Sequence, residues 1–114
     1  MQPEPRLKAG IWVQALIRRC DLAAIGVAVT ARGDPDAGAV LLKLIGRDGG
    51  CTVLSQARGP DGVLAWMRAT GPEAVAESDV DAYIARQRAR DPDLWVVEIE
   101  TASADALLDR PILK

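Results

Sequence analysis

Along the first part of the chain, apolar residues recur at Ala9, Trp12, Val13, Leu16, Ile17 and Cys20. These positions follow the i, i+3, i+4, i+7 rhythm of a helix, so residues 7–20 are predicted to form one with a single buried stripe. Lys8, Gln14, Arg18 and Arg19 fall off the stripe, but so do Ile11 and Ala15, which leaves the helix a second greasy flank. The rhythm then changes to two. In residues 25–30, Ile25, Val27 and Val29 alternate with Gly26, Ala28 and Thr30, the pattern of a strand with one buried face. Residues 39–45 are apolar on both faces except for Lys43, which predicts a central strand needing cover on each side. Residues 51–57 alternate loosely. Residues 63–68 place Val63, Ala65 and Met67 on one face and Leu64, Trp66 and Arg68 on the other.

Turn chemistry separates these runs. The segment RGDPDAG at 32–38 combines proline, which sets φ, with glycine, which tolerates unusual φ, and Asp48-Gly49 is a hairpin signal. Short connections of this kind predict an antiparallel meander. After Thr70-Gly71-Pro72 the helical rhythm returns, with Ser78 and Asp81 in capping-box spacing and Val80, Tyr83, Ile84 and Gln87 as the inner face. Asp91-Pro92-Asp93 ends it, because a residue before proline avoids the helical region. A last strand over 94–101 sets Trp95, Val97 and Ile99 against Val96, Glu98 and Glu100. Residues 1–5 read as a disordered leader, residues 6–101 as one domain, and residues 102–114 as a tail with a helical turn near 104–109 and an apolar end. The expected fold is α+β in the order α-β-β-β-β-α-β, a mainly antiparallel sheet of about five strands with the helices on one face.

Three segments taken together carry a family resemblance: RLKAGIWV at 6–13, RGDPDAG at 32–38, and residues 81–98, which run from Asp81-Ala82-Tyr83 to DPDLWVVE. With them the chain resembles an alphaproteobacterial family known as domain of unknown function 1491, over residues 6–100. The resemblance implies a stand-alone bacterial protein of about this length. It implies no reaction, ligand or partner, so every site reading rests on the residues themselves.

Composition narrows the chemistry. In 114 residues, 49% hydrophobic and 26% charged, there is enough apolar material for one core and none of the bias of a disordered chain. The 14 basic and 16 acidic residues leave a formal charge of -2, which gives no global field toward nucleic acid or anionic lipid. The absence of histidine removes Ser/His/Asp triads, Cys/His dyads and HExxH zinc sites. Cys20 and Cys51 lack CxxC spacing and read as small core hydrophobes in a reducing cytoplasm. The apolar stretch at 9–17 is far shorter than the roughly 20 residues of a membrane span, and Arg18-Arg19 follow it where a signal peptide would have its cleavage site.

Candidate sites are few. Asp34 and Asp36 sit like the start of a calcium loop, but the following apolar run supplies no further ligand, so a proline turn explains them and no metal or cofactor is expected. Arg86, Arg88 and Arg90 complement the C-terminal end of the second helix, as Asp79 and Asp81 do its start, which accounts for them without nucleic acid. Glu98 and Glu100 could act as an acid/base pair only if they flanked a cleft, and neighbours on one strand face favour solvation or cross-strand ion pairing instead. Trp66, facing away from Val63, Ala65 and Met67, falls on the sheet side that the helices leave open. Two readings follow. The first is a cytoplasmic binding or regulatory module without catalytic machinery, a homodimer through Leu41, Leu64, Trp66 and Arg68, with the tail as the other possible cover for Trp66. The alternative is a small enzyme or metabolite-binding protein with a cleft of Arg32, Asp34, Asp36, Glu98 and Glu100.

Overall fold

The computed structural model describes residues 7–113, so the predicted leader lies outside the described residues. Its elements are α1 (Ala9–Leu22), β1 (Val27–Ala31), β2 (Val40–Ile45), β3 (Cys51–Arg58), β4 (Leu64–Arg68), α2 (Glu77–Arg90) and β5 (Trp95–Ile99). The class and order are those the sequence predicts, and all six residues of the predicted α1 stripe belong to the core. The Asp48-Gly49 hairpin also forms: Gly49 takes φ +86°, and Gly46 N–H donates to the carbonyl of Gly50 at 2.9 Å.

The strand order is β1-β5-β2-β3-β4. Strands β2, β3 and β4 make the expected meander, but β1 does not join it. The last strand inserts between β1 and β2, antiparallel to the first and parallel to the second. A parallel pair cannot be closed by a hairpin, so the chain must cross over the sheet between β4 and β5, and α2 is that crossover.

This topology corrects the expectation that both helices share one face. Residues opposed across a ladder point to the same side, so Val40, Leu42 and Leu44 share a side with Trp95, Val97 and Ile99, and α1 covers it with Val13, Leu16 and Cys20. On the other side Leu41, Val53 and Cys51 pack with Val80, Tyr83 and Ile84 of α2. Strand β2 thus receives the cover it needs on both faces, one helix to each.

The start of α2 also differs from expectation. Its N-cap is Ala76, with no side-chain cap, because the helix begins at Glu77 and the Asp81 carboxylate is engaged elsewhere. Beyond β5, Ala104 and Leu107 are buried, and Arg19 Nη1 donates to the Leu107 carbonyl at 2.7 Å. The chain then runs beside β4: Trp66 N–H donates to the Pro111 carbonyl at 2.8 Å, and Leu113 N–H donates to the Trp66 carbonyl at 2.7 Å. Trp66 therefore meets the tail along its backbone and Trp12 of α1 across its ring rather than open solvent, and the residue is 3% exposed.

Candidate functional site

A cleft forms where the start of α1 meets the 32–38 loop, the first half of β4 and the tail. Helix α1 begins without a side-chain cap, its Ala9 and Gly10 amides donating instead to the carbonyls of Asp36 at 3.3 Å and Pro35 at 2.9 Å. The loop that accepts these bonds is itself a closed turn. Asp34 Oδ2 takes the amides of Asp36 (3.2 Å) and Ala37 (2.7 Å), and the Asp34 carbonyl takes Trp95 Nε1–H at 2.8 Å. Asp34 is therefore occupied by turn formation, as the proline-turn reading requires. Among the described residues no group of three or more Cys, Asp or Glu side chains is placed to hold a metal.

Between these walls lies a cavity of about 290 Å³. Trp12 and Trp66 meet in its floor, ring centroids 5.4 Å apart and planes tilted by 40°, a favourable aromatic arrangement. Leu7 and Leu64 add apolar wall, and Gln56 also borders it, its Oε1 accepting the Val40 amide at 2.9 Å. The rim is of mixed sign, with Lys8 and Arg110 as cations and Asp36 and Asp109 as anions.

The predicted site residues are only partly brought together. Leu64 and Trp66 border this cleft, while Arg68 lies further along the same side of β4. Leu41 points to the opposite side of the sheet, where it is buried in the α2 core. Of the alternative set, Arg32, Asp34 and Asp36 share the loop at the start of β5, whereas Glu98 and Glu100 lie toward its other end, where the Glu100 amide donates to the Gly26 carbonyl. The five side chains do not line one cavity.

Glu98 is instead part of a charge cluster on the α2 side. Lys43 Nζ reaches Glu77 and Asp81 at 2.7 Å each and Glu98 at 3.3 Å, with the lysine side chain only 8% exposed. Burial pulls the Lys43 pKa down, but hydrogen bonds to Asp81, Glu77 and Glu98 outweigh it and hold the ammonium above its ordinary range. The expected cross-strand pairing of Glu98 is met by its register partner Lys43, and Glu100 is left exposed to solvent. Both cysteines are free and buried; burial pushes each thiol up, aided by Asp21 at Cys20 and by Glu77 at Cys51.

Sequence reasoning missed Lys8, Gln56, Asp109 and Arg110 as cleft residues and took Trp12 as plain core. No local signal marks them, since they meet only through contacts between distant segments. No helix among the described residues is long and apolar enough to cross a membrane.

Known proteins carry the same fold. A crystal structure of a DUF1491 family protein from Caulobacter crescentus CB15 matches with a TM-score of 0.84 and 40% identity, over 95% of this chain and 100% of that one. An NMR structure of a DUF1491 family protein from the same organism matches at 0.81 and 39%, over 97% and 100%. The solution structure of protein Atu0922 from A. tumefaciens matches at 0.79 and 32%, over 93% and 95%. No curated protein matches the chain. The family profile described as "Protein of unknown function (DUF1491)" spans residues 7–109, and the chain belongs to that family.

Proposed function

We propose that this protein is a small cytoplasmic binding module without catalytic machinery, and that its recognition site is the cleft floored by Trp12 and Trp66. The observation that carries the reading is the tryptophan pair itself, set in a concave site with apolar walls and a polar rim. With Trp66 3% exposed, the half-buried Trp12 ring backed by it offers the flat apolar surface, and a rim of both signs selects no net charge, so the ligand is a neutral or zwitterionic aromatic molecule. Three features weigh against catalysis: the chain has no histidine, both thiols are buried and pushed away from the thiolate form, and the predicted carboxylates are separated. Two buried unpaired cysteines suit a reducing compartment.

Titration of the 15N-labelled protein with indole tests this. The expected result is a saturable movement of the Trp12 and Trp66 indole N–H signals that is lost in Trp12→Ala. Failure of those signals to saturate in the wild type, or unchanged binding by a folded Trp12→Ala, would sink the reading.

Self-association is the second reading, favoured by one observation. On the α2 side of β4, Val63 and Met67 are 40% and 46% exposed, so a sheet face remains that the described residues do not cover. The face is the reverse of the one bearing Trp66.

A further inference from the structure

We propose that the cavity on the other flank of α1, beside β1, binds a short aliphatic carboxylate through Arg32. The platform is Trp95, buried at the start of β5 and held from three directions. Its ring N–H is bonded to the Asp34 carbonyl, its amide donates to the Ala39 carbonyl at 2.8 Å, and Gly38 packs so closely that a Cβ there would lie 2.9 Å from Cδ1. A ring so wedged cannot turn. The Arg32 guanidinium carbon lies 5.3 Å from its centroid, where attraction to the ring holds the group without using its in-plane N–H donors.

Those donors face no carboxylate within ion-pair distance among the described residues. Asp34 is engaged in its own turn, and Asp36 lies against Lys8 at 3.7 Å. A planar fork with free donors suits a carboxylate, which it can grip bidentately. Arg32 borders a cavity that Gln14 and Lys8 also line, where the Asp36 carboxylate is the one that Lys8 neutralises; its volume is about 280 Å³, and its apolar sides include Ile11, Ile17 and Val29. This is the low end of the volumes that hold small ligands, and its aliphatic walls suit a short hydrocarbon chain. The site lies on the other flank of α1 and shares only Lys8 and Asp36 with the Trp12–Trp66 cleft, and Arg32 borders this site and not that one.

Titration with sodium hexanoate, compared with hexanamide, tests the proposal by following the Arg32 Nε–H and Trp95 Nε1–H signals. Hexanoate should move both saturably and bind at least about tenfold more tightly than the amide of the same length. Arg32→Gln should remove that advantage while leaving hexanamide binding as it was. Equal affinity for acid and amide in the wild type, undiminished hexanoate binding in Arg32→Gln, or no saturable movement would each overturn it. Movement confined to Trp12 and Trp66 would also overturn it, while leaving the indole cleft standing.

Discussion

Lys43 shows how a single residue can tie an element in place. It projects from the middle of β2, and its ammonium meets two carboxylates of α2 and one of β5. The three acids are 52%, 58% and 28% exposed, so once orphaned they rehydrate, and the loss on removing the lysine stays below that of a fully buried pair. Lys43→Met is therefore expected to cost about 1–2 kcal/mol in urea unfolding. Its pH dependence has a definite sign. Because the folded pKa is raised, the ammonium's contribution is complete below the unfolded value of about 10.4 and is lost as pH rises through the folded one. The wild-type advantage over Lys43→Met should hold from neutral pH to about 10 and close only in stronger alkali; a gap that shrinks between neutrality and pH 9 refutes this. Part of the cluster is legible in the sequence, where Lys43 interrupts an apolar strand and Glu98 shares a strand face with Val96. What sequence cannot supply is that α2 lies over that strand, since this follows from the crossover.

At the scale of elements, hydrophobic patterning finds both helices and all five strands, because each helix buries one stripe, the outer strands alternate and β2 is a short apolar run, all of which show locally. Pairing between distant segments is less visible. Nothing within residues 94–101 says that the strand will part β1 from β2, and the helix placement follows from that insertion. The β4 alternation predicts the side on which Trp66 lies, and that side proves covered, not open, because α1 packs there while α2 takes the other. The tail that covers it is held to the Trp66 backbone by two hydrogen bonds, with Ile112 packed against the core. Leu113→Pro removes one donor and should cost about 1 kcal/mol. Deleting residues 111–114 should cost about 2 kcal/mol and shift tryptophan emission to the red as Trp66 meets water. An unchanged urea midpoint and emission maximum in the deletion would mean that the tail contributes no cover.

For the whole molecule, the question is whether one chain completes its own surface. Among the described residues, two helices, a tail and a five-stranded sheet leave Met67 of β4 and Val63 just before it open on the α2 side. If the second reading holds, light scattering finds a dimer at high concentration, and Met67→Glu converts it to a folded monomer. A wild type that remains monomeric over the same range refutes self-association. The proposed binding cleft is unaffected by either outcome, because it lies on the opposite side of the sheet.

The inserted last strand also has a meaning in time. A ribosome delivers β1 before the other strands, yet among the described residues β5 is the only strand to which β1 pairs. Until residues 95–99 have left the exit tunnel, β1 has no native strand neighbour and β2 offers one bare edge. The segment from β2 to α2 must therefore be synthesised while two edges stay unsatisfied, the kind of surface that recruits other strands. The strand that closes the sheet arrives after all the strands it joins, and native assembly of the sheet waits for it.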